Sequence, residues 1–401
     1  MSKLQELIQK LCPNGVEYKK LGDKQVSIMQ RGTSLTKNSS TEGTYPVISG
    51  GRIPAFYCDK FNREDETITV AGSGAGAGYV QYWNEPIFVC DAFSIKGCEG
   101  VSTKYLYYCL TNLQDKIYAT KKGGGVPHVH ISSIEDFLIP IPHPDIQEEI
   151  VKILDRFAEY AAELQAELQA ELQVRQEQYE YYRDKLLSFN GINGGGYASV
   201  TWMKMSEIGT FIRGNGLQKK DFTESGVPCI HYGQIYTYYG TFAFHTKSFV
   251  NEELAKKCKK AHTGDLVFAT VSENVDDVCK CVAWLGNDEI CISGDSLAFC
   301  HNQNPKYLAY YFQTAAFADY KRSKVTGTKV IRLHQSKLEQ FVVPVPSLVE
   351  QEHIVSILDK FETLVNSLTT GLPAEIAAVQ EQYEYYRNKL LSFPRNEKIS
   401  A

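Results

Sequence analysis

The sequence contains no long hydrophobic run, since no stretch of roughly 18 apolar residues occurs anywhere in the chain. A transmembrane helix needs about 20 predominantly apolar residues, so we expect no membrane span. The N-terminal residues 1–7 mix charged with apolar side chains and lack the apolar core of a signal peptide. We therefore expect a cytoplasmic protein.

Cysteine pairs that bind metals are also missing. The 11 cysteines are scattered along the chain, and no Cys-x-x-Cys motif occurs. An odd number of cysteines in a chain of 401 residues is typical of buried thiols rather than of a disulfide framework. We therefore expect no metal site and no cofactor in this chain.

A nucleotide-binding loop is not indicated either, although residues 72–79 are rich in glycine. No Gly-Lys-Ser/Thr follows, and Ala77 stands where a G-x-G-x-x-G motif requires glycine. The next residues, 79–83, alternate as a strand does, so a phosphate there would not meet a helix N-terminus. We interpret residues 72–79 as a connection between two strands.

What the sequence does contain is a long internal repeat. Residues 147–157 and 176–189 recur at 351–361 and 380–393, both displaced by 204 positions. Apolar residues recur at steps of three and four, which predicts coiled-coil helices, and both copies share one stutter. A helix of about 44 residues would span roughly 65 Å. We predict an antiparallel helix pair that separates two domains, the alternative being that each helix packs only on its own domain.

The second helix differs from the first at one place. Residues 162–173 repeat Ala-Glu-Leu-Gln three times, which favours an uninterrupted helix. The matching region of the second copy contains Thr369, Thr370 and Gly371, followed by Pro373. Proline lacks the amide that an interior helical turn needs, so we expect a kink or a short break there.

The segments before the two helices match each other weakly, with Arg31 aligned to Arg213. Short apolar runs such as 67–70, 79–82 and 265–268 predict strands, and the Lys-Tyr-Leu segments at 104 and 306 predict helices, so each domain should be mixed α/β. The predicted divisions are a first domain at 1–145, a first spacer helix at 146–189, a linker at 190–196, a second domain at 197–346, a second spacer helix at 347–393 and a tail at 394–401.

The net charge of −5 is unevenly distributed. Residues 146–189 contain 5 basic and 10 acidic side chains, and residues 346–401 contain 5 and 8. Residues 1–145 contain 15 of each sign, and residues 190–345 contain 17 basic and 14 acidic side chains. The domains are therefore neutral or positive, which permits nucleic-acid binding without requiring it.

The chain resembles the specificity subunit of type I restriction-modification systems. The resemblance rests on residues 11–22, on the Pro-x-Pro boundaries at 139–142 and 343–346, and on the paired Gln-Glu-x-Ile-Val-x-Ile-Leu-Asp helices. It implies two target recognition domains that each recognise half of a split, asymmetric site in double-stranded DNA. It also implies that the helices set the spacing and bind two methyltransferase subunits, which restriction and translocase subunits join.

In such a complex the specificity subunit has no catalytic centre, and S-adenosylmethionine, ATP and Mg are bound by its partners. The sequence agrees, because no Ser/His/Asp set, carboxylate dyad or Asp/Glu metal cluster recurs at matched positions in the two halves. Two alternatives stay open. One is a coiled-coil adaptor whose domains bind protein, and the other is the specificity component of a different restriction or modification assembly.

Candidate DNA contacts are basic and polar residues in segments that hold glycine or match between the domains. For the arginines a structural salt bridge is the alternative, and for the loops an ordinary solvated surface. These candidates are Arg31, Lys37, Arg52, Ser73, Lys121, Lys122, His128, Arg213, Lys219, Lys220, His231, Tyr232, Lys321, Arg322, Lys324, Lys329 and Arg332. The predicted spacer and docking residues of the helices are Ile150, Leu154, Phe157, Tyr179, Tyr182, Leu186, Ile354, Leu358, Phe361, Tyr383, Tyr386 and Leu390.

Overall fold

A computed structural model describes residues 2–123, 125–189, 200–366 and 371–396. The chain forms two compact units. Unit 1 comprises Met1–Leu168 and Glu375–Ala401, and unit 2 comprises Gln169–Ala374. Each unit is mixed α/β, as the sequence predicts, and each contains parts of both repeats. The predicted linker 190–196 lies outside the described residues.

Unit 1 begins with a capped helix and continues through nine strands. Its elements are α1 (Lys3–Leu11), β1 (Glu17–Lys20), β2 (Ser27–Arg31), β3 (Tyr45–Ile48), β4 (Phe56–Cys58), β5 (Thr67–Ala71), β6 (Val80–Trp83), β7 (Phe88–Val89), β8 (Ala92–Gly97), α2 (Thr103–Asn112), α3 (Gln114–Ala119), α4 (Ile131–Ile134) and β9 (Leu138–Ile141). The expected strands at 67–70 and 79–82 and the helix at 104 are confirmed, and residues 72–79 connect β5 to β6.

Three sheets organise unit 1. An antiparallel sheet has the order β2-β8-β5-β6, a smaller one has the order β4-β3-β7, and β1 pairs with β9. Strand β5 is buried along its whole length, which explains its continuous apolar run. Its side chains Ile68 and Val70 pack with Tyr105 and Leu106 of α2 in the main core.

Unit 2 repeats this order with additional short elements. They are β10 (Thr201–Lys204), α6 (Met205–Ile208), β11 (Gly209–Arg213), β12 (Val227–Ile230), α7 (Tyr232–Thr237), β13 (Phe242–Ala243), β14 (Ser248–Val250), α8 (Glu252–Ala255), β15 (Lys260–Ala261), β16 (Leu266–Ala269), β17 (Val271–Ser272), β18 (Cys281–Trp284), β19 (Ile290–Ile292), β20 (Ser296–His301), α9 (Pro305–Tyr311), α10 (Ala315–Lys324), β21 (Ile331–Arg332), α11 (Gln335–Leu338) and β22 (Val342–Val345).

The sheets of unit 2 correspond to those of unit 1. The five-stranded order β11-β20-β16-β18-β13 contains the equivalents of β2-β8-β5-β6, and the order β14-β12-β19-β15 contains those of β4-β3-β7. Pairing of β10 with β22 matches pairing of β1 with β9, with Trp202 opposite Pro344 and Tyr18 opposite Pro140. The weak similarity of the two domains in sequence therefore corresponds to one fold.

Three long helices follow the domains. They are α5 (Pro144–Ser188), α12 (Leu348–Asn366) and α13 (Leu372–Leu390). The first is continuous over 45 residues. The second repeat is interrupted at Gly371, which lies outside both helices, and Pro373 lies in the first turn of α13, where a missing amide costs little. The expected break is confirmed, although Thr369 and Thr370 lie outside the described residues.

The end of the chain returns to the start of unit 1. Val16 forms a parallel bridge with Arg395, and the Tyr18 hydroxyl donates a hydrogen bond to the carbonyl of Phe393 at 2.9 Å. Among the helices of the described ranges, none has both the length and the apolar character that a membrane crossing requires.

Candidate nucleic-acid interface

Arg31 and Arg213 occupy equivalent places in the two units. Arg31 ends β2 opposite Phe93 of β8, and Arg213 ends β11 opposite Leu297 of β20. Both side chains are exposed. The Arg213 Nε donates to the carbonyl of Gly294 at 3.3 Å, and within the described part of the chain neither arginine forms an ion pair. The alignment of the two arginines is confirmed, and their contact with bases stays a prediction.

A glycine follows each arginine because the backbone passes very close to a neighbouring turn. A Cβ on Gly32 would lie 2.1 Å from the carbonyl oxygen of Cys90, and one on Gly214 would lie 2.1 Å from that of Ser293. No other residue type fits without moving that turn. The backbone that follows each arginine therefore leaves the sheet along the same path.

Three segments of unit 1 form one surface, which we call the loop surface. It consists of residues 50–52, 72–78 and the hairpin around Lys122 and His128. Ser73 forms a β-bridge with His128, and its hydroxyl donates to Asp91. A Cβ on Gly50 would lie 2.2 Å from the carbonyl oxygen of Ser73, so these loops touch. The candidates Arg52, Ser73, Lys122 and His128 are thus brought together.

Two of the candidate DNA-contacting cations of unit 1 lie over tyrosine rings. The Arg52 guanidinium lies 5.1 Å from the ring centroid of Tyr79, and the Lys121 Nζ lies 4.1 Å from that of Tyr118. A cation over an aromatic face keeps free donors while its side chain is restrained. Such restrained cations suit phosphate contacts because less side-chain entropy is lost on binding.

The hairpin of unit 2 is built in the same way. Thr326 and Arg332 exchange both backbone hydrogen bonds at 2.9 Å, just as Lys122 and His128 do at 3.0 and 2.8 Å. Arg332 also pairs with Val271, the residue that corresponds to Ser73. Its guanidinium contacts Asp295 at 3.1 Å, so this cation is partly neutralised.

Two of the basic candidates of α10 are held by the protein itself. Lys321 is 6% exposed and donates to the carbonyls of Asp276 and Val278 at 2.5 and 3.2 Å, and burial lowers its pKa. Arg322 is exposed but pairs with Asp319 at 3.2 Å and with Asp276 at 3.4 Å. Lys321 thus lacks the surface position that DNA contact needs, and this part of the prediction is corrected.

His231 is a helix cap rather than an exposed donor. Its Nδ1 accepts a hydrogen bond from the amide of Gly233 at 3.1 Å at the start of α7, and the residue is 6% exposed. Burial, together with the nearby charge of Lys219, lowers the pKa of His231. Tyr232 is half-buried against the apolar cluster that contains Ile235. The prediction of DNA contact is therefore corrected for His231.

The remaining candidates are exposed lysines. Lys37 and Lys219 each begin a one-turn 3₁₀ helix, six residues after Arg31 and Arg213. The sequence did not indicate that Lys37 and Lys219 occupy equivalent positions, because the residues around them differ. The other exposed lysines among the candidates are Lys220, Lys324 and Lys329.

The repeated helix motif anchors each helix to its own domain. Gln147 donates to the carbonyl of Pro142 at 2.9 Å, and Gln351 donates to that of Pro346 at 2.9 Å. Eight positions further on, a repeated aspartate accepts from a tyrosine and a lysine of the domain helix. These groups are Asp155 with Tyr108 and Lys104, and Asp359 with Tyr310 and Lys306.

These contacts give the repeated glutamine and aspartate the same structural role in both units. Burial, aided by the hydrogen bond to aspartate, raises the pKa of both Tyr108 and Tyr310, so each hydroxyl stays a donor. The predicted docking residues Ile150, Leu154, Tyr179, Ile354 and Leu358 are fully or almost fully buried within their own units. They are unavailable to a partner, and their assignment to a docking surface is corrected.

The other predicted helix residues are at least partly accessible. Phe157 packs on Tyr386, and Tyr182 packs on Phe361, with each pair inside one unit. Leu186, Tyr383 and Leu390 are half-buried. One exposed repeated pair was not among the predicted residues: Tyr181 and Tyr385 are 59% and 61% exposed, more than Tyr182 and Tyr386 at 43% and 38%. The sequence could have indicated them, because the same residue type occurs at both positions, 204 residues apart.

Comparison with known proteins agrees with this architecture. The family model of the type I restriction modification DNA specificity domain matches residues 13–174 and again residues 199–378. The chain is 33% identical to the EcoR124I/EcoR124II type I restriction enzyme specificity subunit of Escherichia coli, over 76% of this chain and 75% of that one. It is 31% identical to a putative type I restriction enzyme specificity subunit of Haemophilus influenzae, over 94% and 96%.

Solved structures share the fold at lower sequence identity. A chain from a structural study of assembly and conformational transition of the type I restriction-modification system superposes with a TM-score of 0.66, at 16% identity, over 95% of this chain and 98% of that one. The HsdS subunit of Thermoanaerobacter tengcongensis has a TM-score of 0.50, at 15% identity, over 95% and 96%. With two matches of the family model that together cover most of its length, the chain belongs to the type I restriction-modification DNA specificity family.

Proposed function

We propose that this chain is the DNA sequence-specificity subunit of a type I restriction-modification complex. Each unit recognises one half of a bipartite, asymmetric site in double-stranded DNA. The observation that carries the proposal is the matched placement of Arg31 and Arg213 at the ends of equivalent strands, beside loops that differ between the units. A shared backbone geometry with different loop side chains is expected of two related domains that recognise two different DNA sequences.

The repeated helices act in this proposal as a spacer and as the docking surface for two methyltransferase subunits, which restriction and translocase subunits join. Successive turns of DNA repeat every ~34 Å, so two readers on one face of the duplex need a stiff connection. The continuous helix α5 has that stiffness, and its 45 residues correspond to about 68 Å. Exposed repeated residues such as Tyr181 and Tyr385 offer two copies of one partner the same surface.

The chain in this proposal is not an enzyme. S-adenosylmethionine, ATP and Mg are bound by the partner subunits. Recognition of half-sites by this chain then determines which sites in the DNA the partners modify.

Methylation mapping tests the proposal. The chain is co-expressed with the methyltransferase subunit of the same host in cells that lack DNA methylation, and the methylated positions are mapped by sequencing. We expect one asymmetric motif made of two short half-sites around a spacer of fixed length. Replacement of this chain by a relative with different loops provides the control, since the motif should then change.

Salt dependence separates this function from that of a protein-binding adaptor. Phosphate contacts release counterions, so the affinity of the complex for a DNA fragment with the mapped motif should fall steeply between 50 and 200 mM salt, by roughly a factor of 10³ or more. An adaptor whose domains bind protein would show no such slope and no methylated motif.

A further inference from the structure

Three metal-ligating side chains of different kinds converge in unit 2, where β16 begins and β20 ends. They are His262, Asp265 and Cys300, and one ligand atom of each lies within 4.8 Å of the other two. The Cys300 Sγ lies 3.2 Å from Asp265 Oδ2, and the His262 Nδ1 lies 3.6 Å from the same oxygen. The backbone brings them together, because Asp265 directly precedes Leu266, which pairs with Phe299.

A fourth residue orients the histidine. Glu289 Oε1 lies 3.0 Å from His262 Nε2 and is itself held by Lys260 at 2.8 Å. The Nε2–H of His262 can therefore be donated to Glu289, which leaves Nδ1 as a lone pair directed at Asp265 and Cys300. A carboxylate behind the second ring nitrogen is the usual support of a histidine that binds a metal.

Unit 1 has a cation at the position that corresponds to Cys300. Cys300 faces Thr210 of β11, and at the same register position Lys96 faces Ile28 of β2. The Lys96 ammonium binds Asp65 at 2.6 Å. Unit 2 has the Cys300 thiol in place of that lysine, and Asp265, at the position of Thr67, brings a carboxylate that is only 6% exposed beside it.

Within the described residues, Asp265 has no lysine or arginine partner, and His262 is its sole ion-pair contact. A divalent cation at this place would supply the charge that Lys96 supplies in unit 1. Sulfur and imidazole ligands select zinc over magnesium or calcium, which prefer oxygen.

We propose that His262 Nδ1, the Asp265 carboxylate and Cys300 Sγ bind one Zn²⁺ ion. The Cys300 thiol gives its proton to solvent when the thiolate binds the metal. The fourth position is open to water, since the His262 side chain is 55% exposed. The ion would fasten the turn before β16 to the end of β20, and the site stands independently of the proposed DNA recognition.

Cobalt absorption and calorimetry with the full chain test this site. We expect one Zn²⁺ per chain in calorimetry, and a thiolate-to-metal charge-transfer band when Co²⁺ is added instead. Cys300→Ser should abolish the band, and His262→Ala should abolish or greatly weaken it. The matched control is Cys98→Ser, which should keep the band, because Cys98 is likewise half-buried and directly follows β8 of unit 1.

Glu289→Gln distinguishes a metal site from a mere cluster. Loss of a carboxylate that hydrogen-bonds to a metal-binding histidine typically reduces metal affinity by roughly 10–100-fold, so we expect a weaker Zn²⁺ affinity with an unchanged stoichiometry. Zn²⁺ should also raise the melting temperature of the wild-type chain and leave that of Cys300→Ser unchanged. His262→Ala, at an exposed residue, serves in place of Cys300→Ser if the latter does not fold. No Co²⁺ band in the wild type, or a band that persists in both variants, would overturn the proposal.

Discussion

The ring of Phe157 packs against that of Tyr386 with centroids 5.7 Å apart, and the repeat-related pair, Phe361 with Tyr182, has centroids 5.9 Å apart. In each unit the start of one repeated helix therefore lies beside the end of the other, in antiparallel orientation. In unit 1, Gln165 donates to Gln380 at 3.4 Å and extends the same antiparallel register. Each unit therefore contains the same kind of helix pair. Unit 1 combines the start of the first repeat with the end of the second, and unit 2 combines the start of the second repeat with the end of the first.

A double-mutant cycle should detect the coupling between Phe157 and Tyr386. Aromatic pairs contribute about 0.5–1.5 kcal/mol beyond area burial, and partial exposure places this pair at the lower end. We expect a coupling free energy of about 0.5 kcal/mol between Phe157→Ala and Tyr386→Ala in urea unfolding. The Tyr182 and Phe361 pair should give a similar value, and Phe157→Ala combined with Tyr57→Ala, at an exposed tyrosine of β4, should be additive.

The hydroxyls of Tyr105 and Tyr307 attach the domain helices to the proline-containing strands. They donate to the carbonyls of Pro140 and Pro344 at 3.0 and 2.9 Å, and both side chains are fully buried. Tyr105→Phe and Tyr307→Phe each leave a buried carbonyl without its donor, so each should cost about 1–3 kcal/mol in the free energy of unfolding. Tyr57→Phe, at an exposed tyrosine, is the control, and an equal loss there would contradict this explanation.

Acid should destabilise unit 2 through His231. Its pKa is lowered in the folded state, so the unfolded chain takes up a proton first as the pH falls below the ordinary histidine value of about 6.5. The stability that the neutral ring contributes is complete above that value and is lost as the pH falls toward the folded pKa. His231→Asn keeps a cap for Gly233 without titrating, so its unfolding free energy should depend less on pH between 7 and 5.

The matched control for this pH dependence is His245→Asn, since His245 is exposed. It should retain the slope of the wild type. If His231→Asn and the wild type lose stability equally, His231 is not the group responsible.

The strands and the repeated helices were predictable because each has a characteristic spacing of apolar residues along the sequence. The alternation at 79–82 and the apolar run at 67–70 became β6 and β5, and the proline at 373 marked the break between α12 and α13. Such patterns are local, so no knowledge of the tertiary neighbours was needed.

The partners of individual side chains were less predictable. Lys321 belongs to a basic run that resembles a solvated loop, yet α10 packs so that its ammonium reaches the carbonyls of Asp276 and Val278. Ile150 and Leu154 fit a coiled-coil seam, but the seam pattern does not distinguish a partner helix from the helix's own domain. His262 and Cys300 lie far apart in sequence, so no short motif predicts that their side chains come together.

Substitution of one arginine should affect one half-site. Arg31→Ala should relax the methylated motif at a position in one half and leave the other half unchanged, and Arg213→Ala should do the converse. Loss of a bidentate contact to guanine typically costs about 1–3 kcal/mol of discrimination. Mapping of the methylated motif in the two variants checks this. Relaxation of both halves by one substitution, or of neither, would show that these arginines do not contact bases.

Deletion of residues 166–169, one Ala-Glu-Leu-Gln unit, should shorten the recognised spacer without changing the half-sites. Four residues correspond to ~6 Å of helix, on the order of one to two base pairs, and to a net rotation of roughly 40°. Residues 166, 167 and 169 are exposed and Leu168 is half-buried, so little packing is lost. Glu167→Lys at full length is the control and should keep the original spacing. An unchanged motif after the deletion would falsify the spacer role of α5, because a stiff connection cannot shorten without moving the sites that it separates.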